Sequence, residues 1–208
     1  LYRHQLDTDH FRFAKQCGCT DVVVHLVDYF RSPKNDSSDQ PVGDEGGWGL
    51  AGGSDEYWTA ESLTALRERI EAEGLRLAAI ENFDPAHWHD VLLDGPKKSE
   101  QLEFLKGIIR NLGKAGIPVM GYNFSIAGVA GRVKGPYARG GAESVGMEGP
   151  LDAPIPNGMV WNMIYDQTAE PGVIPSATHE QLWQRLKDFL DTLVPVAEEA
   201  GVILAAHP

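Results

Sequence analysis

The chain has 208 residues, of which 42% are hydrophobic and 23% are charged, and this composition is typical of a globular domain with one substantial core. Its formal net charge of −12 argues against a nucleic acid partner, because such a surface repels polyanions. No apolar run approaches the length of a membrane span, and no basic-then-apolar signal opens the chain, so we expect a cytoplasmic protein without a membrane partner.

Four helix-to-strand steps follow one another along the chain. In each step, apolar residues recur at helical spacing and a short link leads into a continuous apolar run. The last helix begins at Thr178, with Gln181 as its capping-box partner, and ends at Gly201. The predicted helices are 7–18, 61–74, 99–116 and 178–200, and the predicted strands are 22–27, 75–80, 117–124 and 202–206.

The two cysteines, Cys17 and Cys19, lie at the end of the first predicted helix. Their spacing is awkward for a mutual disulfide and supplies only half of a zinc site. We therefore expect both to be small core residues.

The connections that follow strands are much longer than those that precede them. Residues 28–58 and 125–176 are rich in glycine, proline and aromatic residues. Long loops of this kind are usually functional, and in a β/α barrel they gather at the carboxyl-terminal face, where substrates bind. We expect 125–176 to be an insertion on that face. The alternative, partial disorder, is supported by Gly46-Gly47 and Gly52-Gly53 but opposed by the aromatic content.

Continuous apolar strands that alternate with amphipathic helices predict an α/β fold with a parallel sheet, either a barrel or a doubly wound sheet. No glycine-rich phosphate turn joins a strand to a helix, which favours the TIM (β/α)8 barrel. Residues 1–4 read as the end of a further strand, so the chain supplies roughly the first five strands. An apolar last strand would leave an open sheet edge. We therefore expect a single domain over 1–208 that is the N-terminal part of a longer barrel.

Polar residues at the predicted strand ends are candidate site residues. His207 follows the last strand and is either a metal ligand or a structural histidine. Glu81 ends the strand 75–80, where a carboxylate could act as base, ligand or hydroxyl partner, or could simply be exposed. Asn123 could donate a hydrogen bond to a sugar hydroxyl or could cap a loop, and His25 could bind substrate or face a helix.

Three arginines are further candidates for binding an anionic substrate. Arg132 and Arg139 lie in a glycine-rich segment where the backbone can approach a ligand and a guanidinium group can pair with a carboxylate. Arg3 lies at the end of the first predicted strand. Loop arginines are commonly only solvated, and no ligand spacing within this chain specifies a metal site by itself.

The segment 109–124, Ile-Arg-Asn-Leu-Gly-Lys-Ala-Gly-Ile-Pro-Val-Met-Gly-Tyr-Asn-Phe, strongly resembles a helix-and-strand signature of the mannonate dehydratase family, which belongs to the xylose isomerase-like barrels. Residues 75–82 resemble the third strand of that family, and 201–208 resemble the fifth, where a histidine followed by proline binds the metal. The likeness runs through most of the chain and is loosest over 32–53 and 125–176.

The resemblance implies a lyase that converts D-mannonate to 2-dehydro-3-deoxy-D-gluconate and water with a divalent cation, Mn²⁺ first, with Fe²⁺, Co²⁺ and Mg²⁺ as alternatives. It makes His207 a metal ligand and implies that the other ligands and the acid and base residues come from later strands. A homo-oligomer is also expected by analogy. Two alternatives stay open: a metal-dependent sugar isomerase or epimerase, and a non-catalytic barrel that binds a sugar acid.

Overall fold

The computed structural model describes residues 1–31, 49–128, 132–148 and 154–207, and for Arg132 it describes the backbone only. Gly46, Gly47 and Pro208 therefore lie outside the described residues. The chain divides into two compact units. The first consists of Leu1–Asp28, Gly52–Phe124 and Ala177–Pro208, and the second of Tyr29–Ala51 and Ser125–Ser176.

The α-helices described in the first unit include the four that the sequence predicts. They are α1 (Thr8–Gln16), α2 (Ala60–Ala72), α3 (Pro85–Leu93), α4 (Lys98–Ala115) and α5 (His179–Ala200), with 3₁₀ turns at Arg3–Gln5 and Asp55–Trp58. The predicted capping box of α5 is confirmed, because the Thr178 hydroxyl accepts a hydrogen bond from the Gln181 amide and the Gln181 side chain accepts one from the Thr178 amide.

Helix α3 is the element of this unit that the sequence prediction missed. Its first residue is Pro85, which fits a helix start because its missing N–H would have no partner there. The preceding Asp84 caps the helix by accepting a hydrogen bond from the backbone of Ala86. Asp84 is fully buried and also accepts hydrogen bonds from the Ser54 hydroxyl and the Gly52 amide. This network ties the start of α3 to the segment that precedes α2.

A parallel sheet of four strands forms the centre of the first unit. In the order in which they pair, the strands are β1 (Asp21–Val24), β2 (Arg76–Glu81), β3 (Val119–Tyr122) and β8 (Ile203–Ala206), where β8 is the last of the eight strands that the structure describes. Each follows a helix after a short link, as the sequence predicts. Pro118 lies directly before β3, where its lack of an N–H does not interrupt the ladder.

Leu1 occupies the position next to β1, on the side away from β2. Its ammonium group donates to the Val23 carbonyl, and its own carbonyl accepts from the amide of His25. These bonds on both sides of Val24 are those of a parallel pair. The residues after it turn away into the 3₁₀ turn Arg3–Gln5, so the predicted strand end over 1–4 is wrong for Arg3 and His4, and Leu1 is the residue that pairs with β1. Neighbouring positions in the sheet thus follow chain order, as they do in a β/α barrel.

Aromatic side chains fill the space between β3, α3 and α5. Phe189 of α5 lies 5.1 Å from Tyr122, 5.4 Å from Phe124 and 5.6 Å from Trp88 between ring centroids. Phe189 is fully buried, and Trp88 is 3% exposed. Burial of such large apolar surfaces is the main force that holds the helices against the sheet.

The second unit contains two short antiparallel ribbons within the segment 125–176. One pairs β4 (Arg132–Gly135) with β5 (Ser144–Met147), and the other pairs β6 (Met159–Val160) with β7 (Met163–Ile164). A 3₁₀ turn, Arg139–Gly141, lies between β4 and β5. Trp161 and Asn162 at the turn of the second ribbon both have positive φ angles, as the two central residues of a tight type I′ hairpin require.

The prediction that Cys17 and Cys19 are core residues is wrong, because both are exposed. Helix α1 ends at Gln16, two residues before the predicted end at Gly18. Both cysteines therefore lie in the solvent-exposed link between α1 and β1. Separately, none of the helices in the described ranges is long and apolar enough to cross a membrane.

Candidate functional site

Three of the predicted site residues meet at the ends of neighbouring parallel strands. The register pairs Val24 with Ile80, so His25 and Glu81 follow at the same level on adjacent strands. Glu81 in turn pairs with Gly121, and Gly121 pairs with Ala205, two residues before His207. The sheet therefore gathers His25, Glu81 and His207 at its carboxyl edge, and we call these three residues the His-Glu-His cluster.

The Glu81 carboxylate is the centre of the cluster. Its Oε2 atom lies 3.5 Å from His25 Nε2, and its Oε1 atom lies 3.7 Å from His207 Nε2. His25 and Glu81 are mostly buried, whereas the His207 side chain is 58% exposed. One carboxylate thus faces two imidazoles, and the side with His207 is open to solvent.

Gly121 favours this arrangement, because it lies on β3 between the strands that carry Glu81 and His207. A Cβ atom at Gly121 would lie 3.3 Å from Cγ of Glu81, closer than most such contacts. The glutamate side chain therefore extends across β3 over a residue without a side chain. This role was missed at the sequence level, where Gly121 was only one residue of an apolar strand; a glycine inside a strand is a signal of close approach.

His25 is neutral at neutral pH. Burial lowers its pKa to about 4, and the positive charges of the Leu1 ammonium and of His207 act in the same direction. Its contact with Glu81 is therefore not an ion pair. The Tyr2 ring stacks on the imidazole with centroids 5.0 Å apart and covers it on one side. Tyr2 is a second residue of the site that the sequence did not indicate.

The residues that follow the strand ends shape the rim of the cluster. Asn82, directly after Glu81, is buried and has a φ angle of 64°, a left-handed conformation that asparagine tolerates better than most residues. Its backbone amide still donates to the Gly121 carbonyl, so the chain turns immediately after Glu81 without losing the ladder bond. Asn123 follows β3 directly and is partly exposed. The carbonyl of the preceding residue, Tyr122, accepts a hydrogen bond from the His207 amide.

The three arginines lie on elements other than the strands that carry this cluster. The Arg3 guanidinium lies over the Tyr57 ring, with Cζ 4.2 Å from its centroid. Arg139 lies in the exposed 3₁₀ turn of the second unit, and Arg132 begins β4 of the same unit. The roles of all three in substrate binding stay predictions.

The donor atoms of the cluster suit a divalent cation. Imidazole nitrogen and carboxylate oxygen are ligands that Mn²⁺ and related ions accept. Nitrogen and oxygen ligands lie about 2.1 Å from such ions, so two of them can be up to about 4.2 Å apart, and both contacts of Glu81 are shorter than this. Within the described ranges, however, no group of three or more histidine, cysteine, aspartate or glutamate residues could hold a metal ion. The residues described here thus fit part of a coordination set.

Comparison with known proteins relates this chain to one family. The family model described as D-mannonate dehydratase (UxuA) matches residues 42–133. A mannonate dehydratase of Streptococcus pneumoniae is 32% identical over 162 residues, which cover 73% of this chain and 44% of that protein. A mannonate dehydratase of Streptococcus equi subsp. zooepidemicus is 31% identical over 165 residues, with the same coverage.

The fold is similar to a solved structure from the same family. The crystal structure of mannonate dehydratase from Streptococcus suis superposes with a TM-score of 0.61 at 27% sequence identity, over 95% of this chain and 48% of that chain. The chain thus spans about half the length of the relatives it matches. The predicted fold class, a β/α barrel to which this chain contributes the first strands, is confirmed. The chain belongs to the mannonate dehydratase family.

Proposed function

We propose that this protein is a metal-dependent sugar-acid dehydratase that converts D-mannonate to 2-dehydro-3-deoxy-D-gluconate and water in the cytoplasm. The observation that carries this proposal is the His-Glu-His cluster at the carboxyl ends of parallel strands, in a chain of the mannonate dehydratase family. In β/α barrels this end of the sheet is where catalytic residues gather.

We assign Glu81 and His207 as ligands of a divalent cation. Mn²⁺ is the preferred ion, with Fe²⁺, Co²⁺ and Mg²⁺ as alternatives. The chemistry that such a cation supplies is Lewis-acid stabilisation of the negative charge that develops on the substrate when the proton next to its carboxylate is removed. The exposed His207 side chain can bind from the solvent side, and the Glu81 carboxylate supplies negative charge beside it.

The other residues of the site bind and orient the substrate. Neutral His25 can exchange a hydrogen bond with a sugar hydroxyl, and the Tyr2 ring keeps water from one side of the imidazole. The amide of Asn123 can donate to another hydroxyl at the same edge of the sheet. The reaction removes the proton on the carbon next to the carboxylate and expels the hydroxyl of the following carbon, and the enol that results becomes the 2-keto acid.

A second candidate function is a sugar isomerase or epimerase on the same barrel. It is favoured by the position of Glu81 between two imidazoles, because a carboxylate there could move a proton between neighbouring carbons without loss of water. The two functions differ in their products, a 2-keto-3-deoxy acid in one and an isomeric sugar or sugar acid in the other.

Incubation of the protein with D-mannonate and Mn²⁺ tests these functions. We expect a 2-keto-3-deoxy acid to appear, to be abolished by EDTA, and to fall by at least about a hundredfold in His207→Ala. His10→Ala is the matched control, because His10 is a half-exposed histidine on α1 that pairs with Asp7. An epimer without a keto acid would support the second candidate. Full binding of mannonate with no product and no effect of His207→Ala would support a non-catalytic sugar-acid-binding barrel.

A further inference from the structure

A second concave site lies between the 3₁₀ turn Arg3–Gln5, the 3₁₀ turn Asp55–Trp58 and α2. It is a cavity of about 400 Å³, and we call it the Arg3–Arg69 cavity. Its apolar floor includes Leu26 and Leu66, both buried. Its polar lining consists of Arg3, Glu56, Tyr57, Ser62 and Arg69. None of the three residues of the His-Glu-His cluster lines it.

Arg3 and Arg69 form no ion pair with a carboxylate among the described residues, which is also true of Arg110 and Arg185, but Arg3 and Arg69 line the same cavity. Arg12, Arg67 and Arg76 each pair with a glutamate or aspartate. Such pairing is the expected state in a chain with a net charge of −12. Two arginines without carboxylates on one cavity are therefore a local excess of positive charge.

The contacts of Arg3 leave hydrogen-bonding capacity unused. Its guanidinium lies over the Tyr57 ring, and its Nη1 atom is shielded from solvent without a hydrogen-bond partner. A shielded, unsatisfied donor on a charged group is costly, and a small rotation of the side chain towards an anion in the cavity would relieve that cost. Arg69 donates from Nη2 to the Leu6 carbonyl, which holds its guanidinium beside the cavity and leaves its other N–H groups available.

The lining defines the chemistry of the ligand. Two guanidinium groups and the Glu56 carboxylate leave one unit of net positive charge, which suits a single carboxylate. The hydroxyl groups of Tyr57 and Ser62, together with Glu56, can exchange hydrogen bonds with ligand hydroxyls. A volume of about 400 Å³ is within the usual range for small-molecule sites.

We propose that the Arg3–Arg69 cavity binds a small polyhydroxy monocarboxylate, held by its carboxylate on the two guanidinium groups, at a site outside the His-Glu-His cluster. This site requires no metal ion, and its existence does not depend on the dehydratase activity. Arg3, which the sequence made a candidate for binding substrate, acts here in a second binding site.

Titration calorimetry with D-gluconate in the presence of EDTA tests this site, because chelation removes any metal-dependent binding at the cluster. We expect saturable binding that is weakened at least about tenfold in Arg3→Gln and in Arg69→Gln. Arg3→Lys keeps the charge but loses the planar fork, so an intermediate loss is expected. Arg110→Gln is the matched control, since Arg110 is an exposed arginine on α4 that does not line the cavity. Circular dichroism of each variant checks that it is folded.

Two further arms separate this site from the cluster and from simple sugar binding. D-glucitol, which has the hydroxyl groups but no carboxylate, should bind at least about tenfold more weakly than gluconate. His207→Ala should leave gluconate affinity unchanged. The proposal is overturned if gluconate does not bind in EDTA, if folded Arg3→Gln and Arg69→Gln bind it as the unchanged protein does, or if glucitol binds equally well.

Discussion

Gly121 lies where the Glu81 side chain crosses β3 towards His207. Glu81 and His207 are separated by β3, and a Cβ atom at Gly121 would lie 3.3 Å from Cγ of Glu81, so a residue without a side chain leaves the most room for the glutamate to cross that strand. His25, Glu81 and His207 were each predicted individually, because each follows or ends an apolar strand. Their contacts could not be predicted, since one sequence gives the ends of strands but not the register between them. The stacking of Tyr2 on His25 was missed for the same reason.

Substitution of Gly121 by valine should therefore weaken metal binding. The added side chain would displace Glu81 from His207, and we expect Mn²⁺ affinity to fall by roughly tenfold or more. The Gly107→Ala variant is the control, because a Cβ atom at Gly107 on α4 would meet nothing within 4 Å. Unchanged Mn²⁺ affinity in folded Gly121→Val would show that metal binding does not require the Glu81 side chain to extend across β3.

Among the secondary-structure elements, the helices and their caps are predicted best from the sequence. The amphipathic spacing of α2, α4 and α5, and the signals at Thr178 and Gly201, are local, so they can be read without knowledge of the fold. Helix α3 was missed because it has nine residues and six of them are buried, so it has no polar face to reveal a period. Its Asp84-Pro85 start was the local signal that could have indicated it.

Removal of the Asp84 side chain should destabilise the first unit more than an ordinary cap substitution. In Asp84→Ala, the buried Ser54 hydroxyl and the amides of Gly52 and Ala86 lose their acceptor. We expect the free energy of unfolding to fall by about 2–4 kcal/mol. Urea unfolding measures this, with Asp94→Ala as the control because Asp94 is a half-exposed aspartate at the other end of α3. Equal losses in the two variants would contradict a special role for the buried network.

The ion pair between α4 and α5 should make stability depend on pH in the acid range. Lys98 Nζ lies 2.9 Å from Asp188 Oδ2, and the hydrogen bond from Lys98 lowers the pKa of the Asp188 carboxyl. A lowered pKa in the folded state stabilises the fold above the unfolded pKa of about 4, and this contribution is lost as the pH falls through the lowered value.

Comparison of the protein with Asp188→Asn tests that pH dependence. Both partners are partly exposed, so we expect the variant to be less stable by no more than about 1 kcal/mol at neutral pH. The difference should shrink as the pH is lowered from about 5 to about 3. Denaturant unfolding at each pH measures the free energy of unfolding of both proteins. If the difference in this free energy stayed constant over the pH range, the charge of Asp188 would contribute nothing to stability.

At the scale of the whole molecule, the alternation of helices with apolar strands was sufficient to predict the parallel sheet, and the lack of a glycine-rich phosphate turn favoured the barrel over a doubly wound sheet. The order Leu1, β1, β2, β3, β8 in the first unit follows from the preference of βα units for neighbouring positions. The ribbon of β6 and β7 was not predicted, because these strands have two residues each and are specified by their turn rather than by an apolar pattern. The family likeness and the strand-end cluster point to the same edge of the sheet.

Mn²⁺ titration followed by electron paramagnetic resonance, which reports free Mn²⁺, is the most direct test of the central claim that Glu81 and His207 bind the cation. We predict that His207→Ala and Glu81→Gln each weaken Mn²⁺ binding at least about tenfold, whereas His10→Ala has no effect. Equal Mn²⁺ affinity in the unchanged protein, His207→Ala and Glu81→Gln would contradict the claim.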